Sequence, residues 1–194
     1  MSTRVEQYRF AVLTTANQLT ILRIVFVPIF IILLAYHEIG WALGTFVAAG
    51  ITDVLDGVIA RRFGQKTSIG AVLDPLADKL LMTASILILS LQQMEFHNTI
   101  PRWFMIIVIC RDVFILLVSL IVVLMVGWRT FTPSPYGKTT TAMQVVTVLV
   151  VLYVNWRHLT VPELNILFYV TGLMTAFSGL HYLMSALRRW PFNE

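Results

Sequence analysis

The sequence predicts an all-α integral membrane protein with six transmembrane helices and an N-terminal interfacial amphipathic helix. Of its 194 residues, 58% are hydrophobic and only 12% are charged, and the mean hydropathy is +0.81. A chain of this composition is too apolar for an ordinary water-soluble domain. Six apolar segments reach or approach the roughly 20 residues that a helix needs to cross the hydrocarbon core of a bilayer.

The elements follow one another as a single domain over residues 1–194. Residues 1–16 mix apolar and charged side chains at helical spacing, which is typical of a helix lying in the membrane interface. A disordered tail is the alternative interpretation. The six-helix bundle is predicted over residues 17–187, with spans near 19–37, 39–60, 71–92, 102–127, 141–156 and 163–187. The fifth span is the shortest, and Pro133 and Pro135 separate it from the fourth.

The positions of Lys and Arg predict the orientation of the chain, because basic residues are enriched on the cytoplasmic side of membrane proteins. An N-inside chain with six spans places these basic residues inside: Arg4, Arg9, Arg61, Arg62, Lys66, Arg129, Lys138, Arg188 and Arg189. Only Arg102 and Arg157 then lie outside. We therefore expect a protein integral to the cytoplasmic membrane, with both termini inside. No nucleic acid partner is expected, since the aromatic residues lie within apolar segments and not among the basic ones.

Four of the ten acidic residues fall between Asp53 and Asp78. Asp53 and Asp56 are three residues apart, and Asp74 and Asp78 are four apart, so each pair shares one face of a helix. A short polar connection joins the two predicted helices. We therefore expect both pairs at the same, cytoplasmic end of an antiparallel helix pair, where they can converge.

Four converging carboxylates repel one another unless cations neutralise them. Two divalent cations balance the four charges, and an all-oxygen donor set suits Mg²⁺, with Mn²⁺ as the alternative. A two-metal site is well suited to phosphoryl transfer, because the ions stabilise both the attacking and the leaving oxygen. Helix-end ion pairs at the interface are the alternative interpretation.

Residues around the acids suggest a site for a diphosphate. Gly57 and Gly70 lack side chains where a bulky ligand must come close. Arg61 carries a guanidinium that can bind a diphosphate through two hydrogen bonds, and Thr67 adds a hydroxyl.

The complete motif from Asp53 to Asp78, D-x2-D-G-x2-A-R-x8-G-x3-D-x3-D, resembles the signature of the CDP-alcohol phosphotransferase family. Every fixed position matches. The resemblance extends from N-Q-L-T at Asn17 through T-A-M-Q at Gln144 and is weak beyond about residue 150. It implies that the chain is an enzyme of phospholipid biosynthesis, which transfers a phosphatidyl group from CDP-diacylglycerol to a glycerol-type alcohol and releases CMP.

The resemblance also implies roles for individual residues. Asp53 and Asp74 would bridge both metals, Asp56 would bind one metal, and Asp78 would bind the other and serve as the general base. The residues implied in contacts with the CDP part of the donor are Gly57, Arg61 and Thr67, with Asn17 and Thr20 closing the pocket. A homodimer is implied as well, and the small-residue pairs Gly40/Gly44 and Gly172/Ala176 permit close helix contacts.

Arg111 and Asp112 lie about halfway along an apolar segment, where charged residues are usually functional. Together with Lys138, they are the predicted acceptor-binding residues. A structural salt bridge to another helix is the alternative interpretation for Arg111 and Asp112.

Phosphatidylglycerol is the favoured acceptor, because R-D-V at Arg111 and P-S-x2-G-K-x2-T-x2-Q from Pro133 resemble the cardiolipin synthases of the family. Glycerol 3-phosphate is the alternative acceptor. Synthases that use it tend to carry two further basic residues, where this chain has Ser119 and Thr140. An alternative of another class is an ion-coupled transporter, which intramembrane acids also mark, but the sequence shows none of the paired repeats expected of one.

Overall fold

The computed structural model describes the backbone of residues 15–63, 70–126 and 135–188, and the side chains of residues 21–55, 79–118 and 136–185. Within these ranges the chain forms six α-helices and no strand, which confirms the predicted all-α class. The helices are α1 (Thr15–Ala35), α2 (Ile39–Phe63), α3 (Gly70–Leu89), α4 (Arg102–Val126), α5 (Pro135–Trp156) and α6 (Leu164–Arg188), with a short 3₁₀ helix at Gln92–Met94. Residues 1–14 of the predicted interfacial helix lie outside the described residues.

Two of the described helical segments are long and apolar enough to cross a membrane, Tyr136–Trp156 and Leu164–Ser185. Three further apolar helical segments are shorter: Ile21–Ala35, Ile39–Leu55 and Lys79–Leu89. Each of the six predicted spans overlaps one α-helix. The crossing of the membrane by all six stays a prediction.

Helix α5 begins at Pro135, although its span was predicted to begin near residue 141. Proline suits the first position of a helix, because its missing N–H has no helical partner there and its φ is already helical. The hydroxyls of Thr139 and Thr140 donate to the carbonyl of Tyr136 at 3.0 and 2.8 Å. The predicted start was wrong because hydropathy excludes this polar first turn, which is nevertheless helical.

Helix α1 packs against both α2 and α3, the two helices that carry the acidic motif. The contact with α2 includes the rings of Phe30 and Phe46, whose centroids are 5.9 Å apart and which are almost fully buried. Helix α5 packs against α2 and α6, and α4 packs against α6. The arrangement places α1 next to both halves of the motif.

Two glycines allow an indole ring to lie directly on a neighbouring helix. A Cβ at Gly40 would lie 2.6 Å from Nε1 of Trp156, and a Cβ at Gly172 would lie 2.8 Å from Cζ3 of Trp103. A Cβ at Gly44 would meet no atom within 4 Å among the described residues. These close contacts therefore join helices of one chain through tryptophan side chains.

Asn155, at the end of α5, joins the chain segments that follow α3 and α5. Its Oδ1 accepts from the backbone N–H of Asn98 at 2.8 Å, and its Nδ2 donates to the carbonyls of Asn98 and Val151, each at 2.9 Å. Asn98 in turn donates through Nδ2 to the carbonyl of Leu159 and accepts from the N–H of Val161. Asn155 is fully buried, so water cannot replace these bonds.

Replacing Asn155 with Ala is expected to destabilise the protein by about 1–3 kcal/mol, because the buried N–H and C=O of Asn98 lose their partner. The measurement is the thermal unfolding midpoint of the purified protein in detergent. Gln92→Ala is the matched control: this exposed side chain accepts one bond from Arg102 at 3.1 Å, and its loss should change stability by less than about 0.5 kcal/mol. Equal midpoints for Asn155→Ala and the control would contradict the assigned role.

Candidate active site

The structure places both acid pairs on helices, as the spacing argument requires. Asp53 and Asp56 lie within α2, and Asp74 and Asp78 lie within α3. Asp53 is the member of this acidic quartet whose side chain is described. The convergence of the four carboxylates and their binding of metals stay predictions.

The predicted donor-binding residues lie around the same two helices. Asn17 and Thr20 belong to α1, Gly57 and Arg61 belong to α2, and Gly70 begins α3. Thr67 lies outside the described residues, as do the side chains of Asn17, Thr20 and Arg61. Their contacts with a donor therefore stay predictions.

Asp53 forms an ion pair with a residue that the sequence analysis missed. Nη2 of Arg23, on α1, lies 2.8 Å from Oδ1 of Asp53. The side chain of Arg23 is 1% exposed and that of Asp53 is 48% exposed, so the carboxylate is held from the inside of the bundle and its other side is open. A signal was present in the sequence, because Arg23 interrupts an apolar helix just as Arg111 does.

The donor set fits hard divalent cations. The described side chains include no group of three His, Cys, Asp or Glu residues that could hold a metal, and three members of the quartet lie outside them. The described member, Asp53, offers a carboxylate that is accessible on one side and paired with the guanidinium of Arg23 on the other. Metal-binding carboxylates are usually oriented by such outer partners. Asp56, Asp74 and Asp78 would complete an all-carboxylate set of the kind that suits Mg²⁺ or Mn²⁺.

A cavity of about 450 Å³ lies among α3, α4, α5 and α6. It contains two of the three predicted acceptor-binding residues, Arg111 and Lys138, together with Lys79. Its remaining lining combines hydroxyl groups with an apolar wall and one glycine: Thr141, Ser178, Tyr182, Ile115, Ala142, Val145 and Gly137. Lys79 directly follows Asp78 in the chain, so the cavity begins one residue from the predicted base.

The third predicted acceptor-binding residue, Asp112, is buried and bridges two of the cationic groups. Its Oδ2 lies 2.6 Å from Nζ of Lys79, and its Oδ1 lies 2.7 Å from Nη1 of Arg111. Nη2 of Arg111 donates to the hydroxyl of Ser178 at 3.2 Å. The salt bridge to another helix that the sequence left open therefore exists, between α4 and α3, and it borders the cavity.

The charges in this region favour an anionic ligand. Lys79, Arg111 and Lys138 contribute three positive charges, and Asp112 offsets one of them. The side chain of Arg111 is only 8% exposed, and its Nε has no hydrogen-bond partner among the described residues. A buried guanidinium N–H with no partner is costly, and a phosphate oxygen would satisfy it.

Helices α5 and α6 contact each other through buried polar side chains. Gln144 donates to the hydroxyl of Thr175 at 3.1 Å, and the hydroxyls of Thr147 and Thr171 are 3.0 Å apart. Thr140 is 1% exposed and also donates to the carbonyl of Met174 at 3.3 Å. Residue 140 therefore faces α6, whereas Thr141 faces the cavity.

A second cavity, of about 520 Å³, lies where α1 ends and α2 begins, and Trp156 and His158 also line it. It contains no predicted site residue. It lies at the other end of α2 from the acidic motif.

Comparison with known proteins gives one matching family and several similar sequences. The sequence model of the CDP-alcohol phosphatidyltransferase family matches residues 13–180. A probable cardiolipin synthase (CMP-forming) of Drosophila melanogaster is 34% identical over 93% of this chain, and the chain spans 60% of that protein's length. A probable phosphatidylglycerophosphate synthase of Mycobacterium tuberculosis is 30% identical over 93% of this chain and 85% of that protein. The CDP-diacylglycerol–glycerol-3-phosphate 3-phosphatidyltransferase of Haemophilus influenzae is 33% identical over 87% of this chain and 90% of that protein.

Proposed function

This chain belongs to the CDP-alcohol phosphatidyltransferase family, and from that premise we propose that it transfers a phosphatidyl group from CDP-diacylglycerol to phosphatidylglycerol and releases CMP. Membership confirms the family and the enzyme class that the sequence predicted, a phosphatidyltransferase of phospholipid biosynthesis. The observation that carries the proposal is the cation-lined cavity, whose lining includes Lys79, the residue after Asp78 in the chain.

In the proposed reaction, the hydroxyl oxygen of the acceptor forms a bond to the phosphorus that carries diacylglycerol. The bond from that phosphorus to the CMP oxygen breaks, and Asp78 takes the hydroxyl proton. Two divalent cations held by Asp53, Asp56, Asp74 and Asp78, when bound, supply the positive charge that stabilises the diphosphate and the leaving CMP. The helical spacing of the two acid pairs supports this assignment.

The proposed donor site lies between α1 and the two helices of the motif. Helix α1 packs against both α2 and α3, and its residue Arg23 contacts Asp53 of the motif. Arg61 would bind the diphosphate through its guanidinium, and the glycines would allow the nucleotide to approach the backbone. The proposed donor-binding residues are Asn17, Thr20, Gly57, Arg61, Thr67 and Gly70.

The cavity supports phosphatidylglycerol as the acceptor. Arg111 and Lys138 would bind its phosphate, and the apolar wall would accommodate the part of the lipid next to the glycerol. A further cation is lacking at residue 140, where the hydroxyl of Thr140 is hydrogen-bonded to α6. Glycerol 3-phosphate is a small dianion, so a further cation would strengthen its binding. It has no acyl chain that could contact the apolar wall. It is the second candidate acceptor, because some of the similar bacterial proteins carry names that specify it or its product.

We further propose that all six helices cross the cytoplasmic membrane, with both termini and the acidic motif inside, and that the protein is a homodimer. Large apolar side chains on α6 are widely exposed, including Ile166 at 66%, Leu173 at 72% and Leu180 at 60%. A surface of this kind suits contact with lipid tails or with another transmembrane helix.

The test is an assay of the purified protein in detergent with Mg²⁺, CDP-diacylglycerol and either phosphatidylglycerol or glycerol 3-phosphate. Mass spectrometry should detect cardiolipin and CMP with the first acceptor only, and chelation of the metal with EDTA should stop CMP release. Formation of phosphatidylglycerol phosphate instead would overturn the acceptor. Absence of CMP release with both acceptors would overturn the proposed function.

A further inference from the structure

We propose that Arg23 is a positioning residue for the metal site, which orients the carboxylate of Asp53 toward the cations from the inside of the bundle. This inference rests on the proposed function, because it assigns Arg23 a role toward the proposed metals. It goes beyond the acidic motif, since Arg23 lies on α1 and outside the stretch from Asp53 to Asp78.

The geometry of the ion pair is asymmetric. Arg23 is buried at 1% exposure among the apolar residues of α1, and its Nη2 lies 2.8 Å from Oδ1 of Asp53. Asp53 is 48% exposed, so its carboxylate has an accessible side as well as the side that Arg23 holds. A cation can reach the carboxylate without displacing the guanidinium, because each carboxylate oxygen has two lone pairs.

A structural role alone explains this arrangement poorly. Burying a guanidinium is costly, and replacing a buried ion pair with apolar residues is often neutral or stabilising. Phe26 and Val27, one turn along the same face of α1, are apolar and pack against the core, so an apolar residue at position 23 would suit this face of the helix. What the arginine adds is a fixed orientation of one carboxylate, through a planar group that holds its partner more rigidly than lysine does.

Orientation has a direct consequence for metal affinity. Groups that hydrogen-bond to metal-binding side chains fix the geometry of those ligands, and their loss typically weakens metal binding by about 10- to 100-fold. If Arg23 competed with the cations for Asp53 instead, its loss would strengthen metal binding. The sign of the change in affinity therefore distinguishes positioning from competition.

The experiment measures Mn²⁺ binding to the full-length protein in detergent, without donor or acceptor, from the electron paramagnetic resonance signal of free Mn²⁺. Arg23→Met should bind Mn²⁺ about 10- to 100-fold more weakly than the wild type. Arg23→Lys, which keeps the charge but not the planar group, should show a smaller loss. Arg102→Met is the control, because it removes an exposed arginine that donates a hydrogen bond to Gln92. The Mn²⁺ affinity of this variant should equal that of the wild type.

Each outcome decides between the proposals. If Arg23→Met binds Mn²⁺ as tightly as the wild type or more tightly, the proposed role of Arg23 is overturned. In that case a loss of Mn²⁺ binding in Asp53→Asn would still support the metal site. Wild-type binding by Asp53→Asn overturns the metal site, and with it the proposed function. If Arg23→Met does not fold, as judged by circular dichroism, Arg23→Lys decides, and wild-type affinity of that variant overturns the proposal.

Discussion

Replacing Asp78 with Asn is expected to lower the turnover of CDP-diacylglycerol by about 10²- to 10⁴-fold, the usual contribution of a positioned general base. The amide cannot take the proton of the acceptor hydroxyl, so attack on the phosphorus slows. Arg61 and the glycines of α2 and α3 are unchanged, so the affinity for the donor should stay within a few-fold of the wild type. The measurements are the rate of CMP release and the binding of CDP-diacylglycerol in detergent.

The control for this variant is Glu163→Gln, which makes an equivalent change of a carboxylate to an amide. Glu163 is exposed and lies just before α6, far along the chain from the motif, and its change should leave turnover unaltered. Turnover of more than one tenth of the wild-type rate in Asp78→Asn would exclude Asp78 as the base. If Asp78→Asn instead lost its affinity for CDP-diacylglycerol, the main role of Asp78 would be to bind the donor or a metal.

Replacing Asp112 with Asn is expected to destabilise the protein by about 3–5 kcal/mol, the usual result when one partner of a buried ion pair is removed. Asp112 is the carboxylate bonded to both Lys79 and Arg111. Lys79 is 32% exposed and can turn toward water, whereas Arg111 is 8% exposed and would keep an uncompensated charge. The measurement is the thermal or denaturant unfolding midpoint in detergent, with chemical denaturation supplying the free energy.

A double-mutant cycle separates the charge from other effects of the substitution. In Arg111→Met/Asp112→Asn the buried cation is absent as well, so this protein should be more stable than Asp112→Asn alone. It should also bind acceptor weakly, because the cavity keeps only Lys79 and Lys138. The single variants are Arg111→Met and Asp112→Asn. If the double variant loses as much stability as the two single variants together, the assigned pairing of Arg111 with Asp112 is contradicted.

Much of the proposed site could be predicted because the sequence features that indicate it lie within short stretches of the chain. Asp53 and Asp56 are three residues apart, and Asp74 and Asp78 are four apart. Each pair therefore shares one face once its segment is helical, as α2 and α3 are. Arg23 carried the same signal as Arg111, a charge inside an apolar helix, but the motif does not include it. Its partner could not be predicted without knowing that α1 packs against α2.

The residues that complete the cavity had no such signal. Ser178 and Tyr182 lie one turn apart on α6. The motifs that resemble the family were expected to become weak beyond about residue 150, but the family model matches as far as residue 180. Serine and tyrosine are common on helix surfaces, and nothing in their spacing distinguishes a cavity wall from a lipid-facing or packed position. Lys79 was visible only as a charge beside Asp78.

The amino-acid sequence by itself determined the helical class, the approximate bounds of six helices, the acid spacing and the family, because hydropathy, helical periodicity and motif positions are properties of short stretches of chain. Only the tertiary structure decided which charges meet. Lys79 and Asp112 are 33 residues apart, and Arg111 and Ser178 are 67 apart. Contacts over such separations depend on which helices pack together and at what rotation, and these are set by the fit of whole helix surfaces.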